Sequence, residues 1–215
     1  MVPPLGLRER KKQQTREAIA EAARRLFGER GFERVTVAEI ARAADVAEKT
    51  VFNYFPTKED LVYWRLESFE EKLLETIRER RPGESVLAAF GRFVSVPRGL
   101  LAASDPEARE RLGAITRMIT ESPALLAREE QIYGRYTNSL AALIAEETGA
   151  EADDVGPWVA ANAMMGVHRS LVAYSRRRIV GGEPSSRIAR GVRAQAKQAL
   201  ALLGEGLGEL APGRS

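Results

Sequence analysis

A chain of 215 residues has room for one large domain or two small ones, with a sizeable core. Its formal charge of +3 permits nucleic-acid binding without arguing for it, the absence of cysteine excludes disulfide frameworks and thiolate metal sites, and a single histidine, His168, leaves no cluster for a metal. No apolar run reaches the roughly 18–20 residues of a membrane helix (the longest candidate, 159–167, is broken by His168-Arg169), and no signal-peptide core lies within residues 1–16, so a cytoplasmic location with no membrane partner is expected.

In chain order, nearly every segment reads as helix. Ile19, Ala22, Ala23, Leu26 and Phe27 recur at i, i+3, i+4, i+7 and i+8, one apolar face, and Gly31 marks the stop. Thr36 and Glu39 then form a capping box, with Val35 and Ile40 at the positions of a hydrophobic staple. Val37, Ile40, Ala41 and Ala44 give this second helix its buried face. The turn is Asp45-Val46, where an aspartate tolerates the left-handed conformation better than most residues. A third helix is expected over about residues 48–54, ended by Pro56, and Thr57 with Asp60 opens a fourth through another capping box. That helix runs to about residue 80, where Arg81-Pro82-Gly83-Glu84 breaks the pattern. Amphipathic helices follow over 85–103 (bent at Pro97), 105–121, 123–148, 153–178 and 185–208, with Pro106, Pro123 and Pro157 in first turns, where proline is tolerated. The fold class is all-α: about nine helices, no strand candidate and no internal repeat. Residues 8–62 are expected as a three-helix head and 63–208 as a helical bundle, with the first residues and the tail, 209–215, disordered.

Residues 36–61 carry the most specific signal. A helix-turn-helix needs a bracing helix, a tight turn and a second helix that exposes its first residues to base edges. If Val46, Val51 and Phe55 bury one face of the third helix, Glu48, Lys49, Thr50, Asn53 and Tyr54 are left on the others. Lysine, threonine, asparagine and tyrosine hydrogen-bond bases or phosphates. Helix starts at Thr36 and Thr57 add backbone N–H groups for phosphates, and Arg8-Glu9-Arg10-Lys11-Lys12 is placed to reach a neighbouring backbone or minor groove. For Lys49 and Asn53 a DNA role outweighs plain solvated surface, because the scaffold fixes their direction. For the basic run the two weigh equally, and Phe55 is expected in the core.

These residues, Thr36-Val37-Ala38-Glu39-Ile40-Ala41, then Val46-Ala47-Glu48-Lys49-Thr50-Val51-Phe52-Asn53-Tyr54-Phe55, then Lys58-Glu59-Asp60-Leu61, resemble the reading head of the tetracycline-repressor (TetR) family of bacterial transcription regulators. The motif covers under a third of the chain but is dense. The resemblance implies a double-stranded DNA operator as partner, with Thr36, Thr50, Tyr54 and Lys58 on phosphates and Lys49 and Asn53 on bases. It implies as well that the remaining helices bind a small-molecule effector and form a homodimer. Two residues depart from the pattern. Ala47 stands where the family commonly has a capping Ser or Thr, a loss of about 1 kcal/mol in helix stability. Phe52 replaces a common tyrosine and so lacks a hydroxyl that would bond a phosphate.

In the second half, Ala160, Ala163, Val167, Ser170 and Tyr174 form one stripe, and Ile188, Val192, Gln195, Ala199 and Leu202 or Leu203 another. Two such helices can pair with their copies in a four-helix interface, or pack within the chain. Arg176-Arg177-Arg178 reads as a solvated helix end. Phe90, Phe93, Met118, Tyr133, Trp158, Met164 and Met165 either line an adaptable apolar pocket or are simply core, with Arg117, Asn162 and His168 as polar anchors if they face inward. An enzyme is disfavoured: there is no cysteine nucleophile, no histidine pair and no phosphate-cradling loop, and Glu129-Glu130 and Glu146-Glu147 point apart on a helix. No metal and no cofactor are expected. The sequence points to a sequence-specific DNA-binding regulator, a ligand-released repressor before an activator. The other open reading is a small-molecule-binding or scaffold protein with a degenerate head.

Overall fold

The computed structural model describes residues 6–64, 67–96 and 106–207, and among these it contains ten helices and no strand. They are α1 (Leu7–Arg30), α2 (Val37–Ala43), α3 (Glu48–Tyr54), α4 (Asp60–Tyr63), α5 (Glu67–Arg78), α6 (Val86–Val94), α7 (Pro106–Glu121), α8 (Pro123–Thr148), α9 (Gly156–Val180) and α10 (Ser185–Leu207). The count exceeds nine because the expected fourth helix is described as α4 and α5, on either side of residues 65–66. The bend expected at Pro97, the first residues and the tail lie outside the described residues.

The head is α1 to α4, with α1 packed on α2 and α4, and α2 on α3. Ile19, Ala22, Ala23 and Phe27 of α1 are buried, as the periodicity predicts. Gly31, at φ 79°, occupies backbone space that a side chain would strain, and its N–H closes α1 on the Phe27 carbonyl at 2.9 Å. Val35 and Ile40 are both buried, so the staple is formed. Asp45 sits at φ 54°, and the Val46 N–H donates to the Ala41 carbonyl at 3.0 Å to complete the tight turn.

The body is built around α8, whose 26 residues span about 39 Å. α9 lies against α8, α7 and α10, while α5 packs on α6 and α8. Close approach of α10 depends on two glycines: a Cβ on Gly191 would lie 2.1 Å from the Tyr174 hydroxyl, and one on Gly91 2.6 Å from Leu200 Cδ1. A buried ion pair fixes the far end of α8. Arg80 Nη2 meets Glu147 Oε2 at 2.8 Å, and the same guanidinium donates to the Ile77 and Glu84 carbonyls, pinning the 81–84 break expected from Pro82-Gly83.

Most of the stripe expected at the dimer interface is turned inward, Ser170 alone being exposed. Ala160 and Val167 are buried within the chain, and Tyr174 packs on Gly191. The outward line of α9 is Trp158, Val159, Asn162, Gly166, Ser170 and Ala173, with the exposed N-cap Val155 before it. On α10 Ile188 and Val192 likewise face inward, and Leu202 faces out. Two small-residue lines compete on α9, and the one with the deeper fit between α8 and α10 takes the interior. Among the described residues no helix is long and apolar enough to cross a membrane.

Candidate nucleic-acid interface

Helix α3 has its hydrophobic side fixed by Val51 and Phe55, each 1 % exposed, with Val46 half-buried beside them. The Arg16 guanidinium of α1 lies 5.5 Å over the Phe55 ring. Glu48, Lys49, Phe52 and Asn53 are therefore exposed, and Thr50 and Tyr54 are half-buried at the flanks. Ala47, the N-cap, makes no side-chain cap bond, so α3 starts unassisted. Phe52 is 46 % exposed, which removes the option of a core role for that ring.

Thr36 and Lys58 are engaged in holding the head together. The Thr36 hydroxyl accepts from the Glu39 N–H at 3.3 Å and donates to Glu39 Oε2 at 2.9 Å, while the Thr36 N–H donates to the same oxygen at 2.8 Å. Arg30 adds an ion pair to Glu39 at 2.8 Å. The Thr36 backbone N–H, Arg30 and the Thr36 hydroxyl together hold the Glu39 carboxyl down at about 2. Lys58 Nζ donates to the carbonyls of Phe32 and Val35 at 3.0 and 3.2 Å and stands 4.1 Å from the Phe32 ring centroid. One ammonium proton is left for another acceptor. Arg8, Arg10, Lys11 and Lys12 are exposed along the first turns of α1, a helical edge and not an extended arm.

The head docks on the N-terminal turns of α8 through three polar links. Asp60 uses one carboxylate oxygen for the Thr57 N–H and hydroxyl, at 3.0 and 2.9 Å, in the expected capping box. Its other oxygen takes Arg128, from Nε at 2.8 Å and Nη2 at 2.7 Å. The Tyr63 hydroxyl donates to the Leu125 carbonyl at 2.9 Å, and the Ser122 hydroxyl donates to Glu33 at 2.5 Å. Ser122 also caps α8. A cleft of about 150 Å³ opens beside these links, lined by Pro56, Asp60, Tyr63, Arg128, Ile132, Arg135 and Tyr136. It contains none of the residues expected to bind an effector.

Those residues divide. Phe90, Phe93, Tyr133, Met164 and Met165 are buried, Met118 is partly buried, and His168 is half-buried. Phe69 of α5 gathers several of them: its ring lies 5.2 Å from Phe93, 5.3 Å from Tyr136 and 4.6 Å from His168, with Tyr133 5.8 Å from His168. Arg117, Asn162 and Trp158 are exposed on the single chain, so they are not inward-facing. Asn162 instead donates to the Trp158 carbonyl at 2.8 Å.

Sequence reasoning missed the polar centre of the body. Arg176 is not solvated: it clasps the buried Glu129 with two bonds, at 2.7 and 2.5 Å. Burial, reinforced by the Glu129 charge, pushes the Tyr133 and Tyr63 hydroxyls well above the ordinary tyrosine range. The signal was present: Glu129 lies on the apolar stripe of Leu125, Ile132 and Tyr136, where an acid needs a partner. Glu130 does point the other way, to Arg169.

Comparison with known proteins bears on both halves. Residues 19–63 match the family described as bacterial regulatory proteins, tetR family, and residues 81–179 match the MftR C-terminal domain. The HTH-type transcriptional regulator TcmR of Streptomyces glaucescens is 34% identical over 158 residues, covering 69% of this chain and 67% of its own. Among solved structures, Salmonella enterica GusR superposes with a TM-score of 0.53 at 23% identity, covering 91% of this chain and 96% of that one. NalD, described as the secondary repressor of the MexAB-OprM multidrug efflux pump in Pseudomonas aeruginosa, gives 0.52 at 18%, covering 88% and 97%. At these identities the two structures establish the shared all-helical fold.

Proposed function

We propose that this chain, which belongs to the tetracycline-repressor (TetR) family of bacterial regulatory proteins, works as a homodimeric repressor released from its operator by a small molecule. It is a DNA-binding transcriptional regulator and not an enzyme. Members of the family bind operators, dimerise and respond to effectors; the roles of individual residues are our own reading.

The observation that carries the reading is the exposed face of α3, where Lys49 and Asn53 stand clear of a core that Val51 and Phe55 fix. Lys49 and Asn53 take base edges, with Glu48 beside them. Thr50, Tyr54, the remaining Lys58 proton and the α2 start at Thr36 take phosphates. The head, α1 to α4, and the body that follows meet at links of which Asp60–Arg128 is one. Two copies joined through the outward faces of α9 and α10 present two α3 helices, and binding needs them one DNA turn apart, about 34–36 Å. An apolar or amphipathic effector near Phe93, Tyr133, Met118 and His168 favours a dimer with wrongly spaced heads, by differential affinity for the two states.

Selection of bound fragments from a genomic library, followed by binding at several salt concentrations, tests this. A sequence-specific complex whose log affinity falls linearly with log salt is expected. Binding of small molecules without selection of any duplex would instead favour a ligand-binding protein with a degenerate head.

A further inference from the structure

We infer that Phe52 is a specificity-determining residue that reads the C5-methyl group of a thymine in each operator half-site. The inference rests on the DNA-binding reading and adds a contact to it. Among the described residues of the head, Phe52 is the one large hydrophobic side chain that is exposed, at 46 %. It sits on α3 between Val51 and Asn53, one turn beyond Glu48 and Lys49, so it shares their face. A phenyl ring has no hydrogen-bond donor to offer a phosphate. In the B-DNA major groove the apolar group on a base edge is the thymine methyl, and phenylalanine is among the side chains that meet it. An exposed ring on this helix therefore finds its favourable partner at a thymine, while Lys49 and Asn53 supply the polar contacts beside it.

Covering one methyl group is worth about a fourfold change in affinity, and about sixteenfold when both half-sites of a dimer lose it. The probe is the duplex that the whole chain selects from a genomic library, resynthesised with deoxyuridine in place of each symmetry-related pair of thymines in turn, so that only one methyl per half-site is lost. One symmetry-related pair of thymines is expected to show the sixteenfold loss. In Phe52→Ala that loss should vanish, with binding to the thymine duplex falling to the parent's level on the uracil duplex. Phe52→Gln, a better match in helix propensity and side-chain length, should behave the same way and serves if the alanine variant melts early. A uracil penalty undiminished in both variants, or none at any thymine, overturns the inference while leaving DNA binding intact. Phe52→Tyr tightening equally on thymine and uracil duplexes places the ring at a phosphate, and also overturns it. A chain that selects no duplex fails the underlying reading, and this inference with it.

Discussion

Arg128→Ala tests whether the head is tethered to α8 by the Asp60 link. The guanidinium reaches one Asp60 oxygen from two nitrogens, at 2.8 and 2.7 Å, with 27% of the Arg128 side chain and 11% of the Asp60 side chain exposed. A hydrogen bond to a charged group contributes about 1.5–3 kcal/mol. The Asp60–Arg128 link belongs near the lower end, about 2 kcal/mol, because Asp60 keeps its Thr57 bonds through the other oxygen and is not left as a stranded charge. In a chain of this size each kcal/mol lowers the melting temperature by about 2–4 °C, so a drop of about 4–8 °C is expected. The assay is thermal melting of the parent, Arg128→Ala, Asp60→Asn and the double variant. Asparagine retains an acceptor for Thr57, so the cycle isolates the link. A coupling of at least about 1 kcal/mol is expected. Additive losses, or an Arg128→Ala variant that melts with the parent, would refute the tether.

The same geometry sets four further outcomes. Gly166→Arg should yield a folded monomer by sedimentation, since Gly166 lies on the outward line of α9 and an added Cβ meets nothing within 4 Å; an intact dimer would move the interface elsewhere. Lys58→Ala should lower both operator affinity on all sequences and the melting temperature, because Lys58 also holds the Phe32 and Val35 carbonyls. Lys49→Ala and Asn53→Ala should cost about 1–3 kcal/mol on the cognate site, relax preference at one base and leave melting unchanged. Glu39 titrates at about 2 in the folded head against an ordinary 4.5, so its stabilising contribution is complete above pH 4.5 and is lost as pH falls towards 2. Glu39→Gln should therefore melt lower than the parent at neutral pH and converge with it in acid, and parallel melting curves would contradict the sign.

The head is legible in the sequence because its determinants are local. Thr36 and Glu39 are three residues apart, as are Thr57 and Asp60, and each pair forms its bonds wherever the rest of the chain lies. The positive φ of Asp45 and the burial of Val51 and Phe55 follow from a seven-residue helix crossing another at a tight turn. The body's surface assignments are not local. On α9 the line through Ala160 and Val167 and the line through Asn162 and Gly166 are both periodic, and only the placement of α8 and α10 decides which is inside. Asp60 and Arg128 lie 68 residues apart, and no spacing rule joins them. Arg176 sits in an arginine run near a helix end, where solvation is the ordinary outcome; its burial depends on Glu129, 47 residues earlier.

Tether strength sets a bound on how release can work. Ser122, Leu125 and Arg128, which hold the head, lie on the first turns of α8; Tyr133 and Tyr136, which meet His168 and Phe69, lie two to three turns further along the same helix. An occupant that tilts α8 as one body, and so shifts the tyrosine region relative to α9, shifts the docking turn as well. Coupling between sites in proteins is typically about 1–3 kcal/mol. Three links of about 0.5–3 kcal/mol each, two of them charge-assisted, are of the same order. Links much stronger than this would lock the heads against any effector of ordinary differential affinity, and weaker ones would let the heads reorient without it. The Asp60–Arg128 pair is placed to set that balance, because it is the one link of the three that joins opposite full charges, and Asp60 also starts the helix that leads out of the reading head.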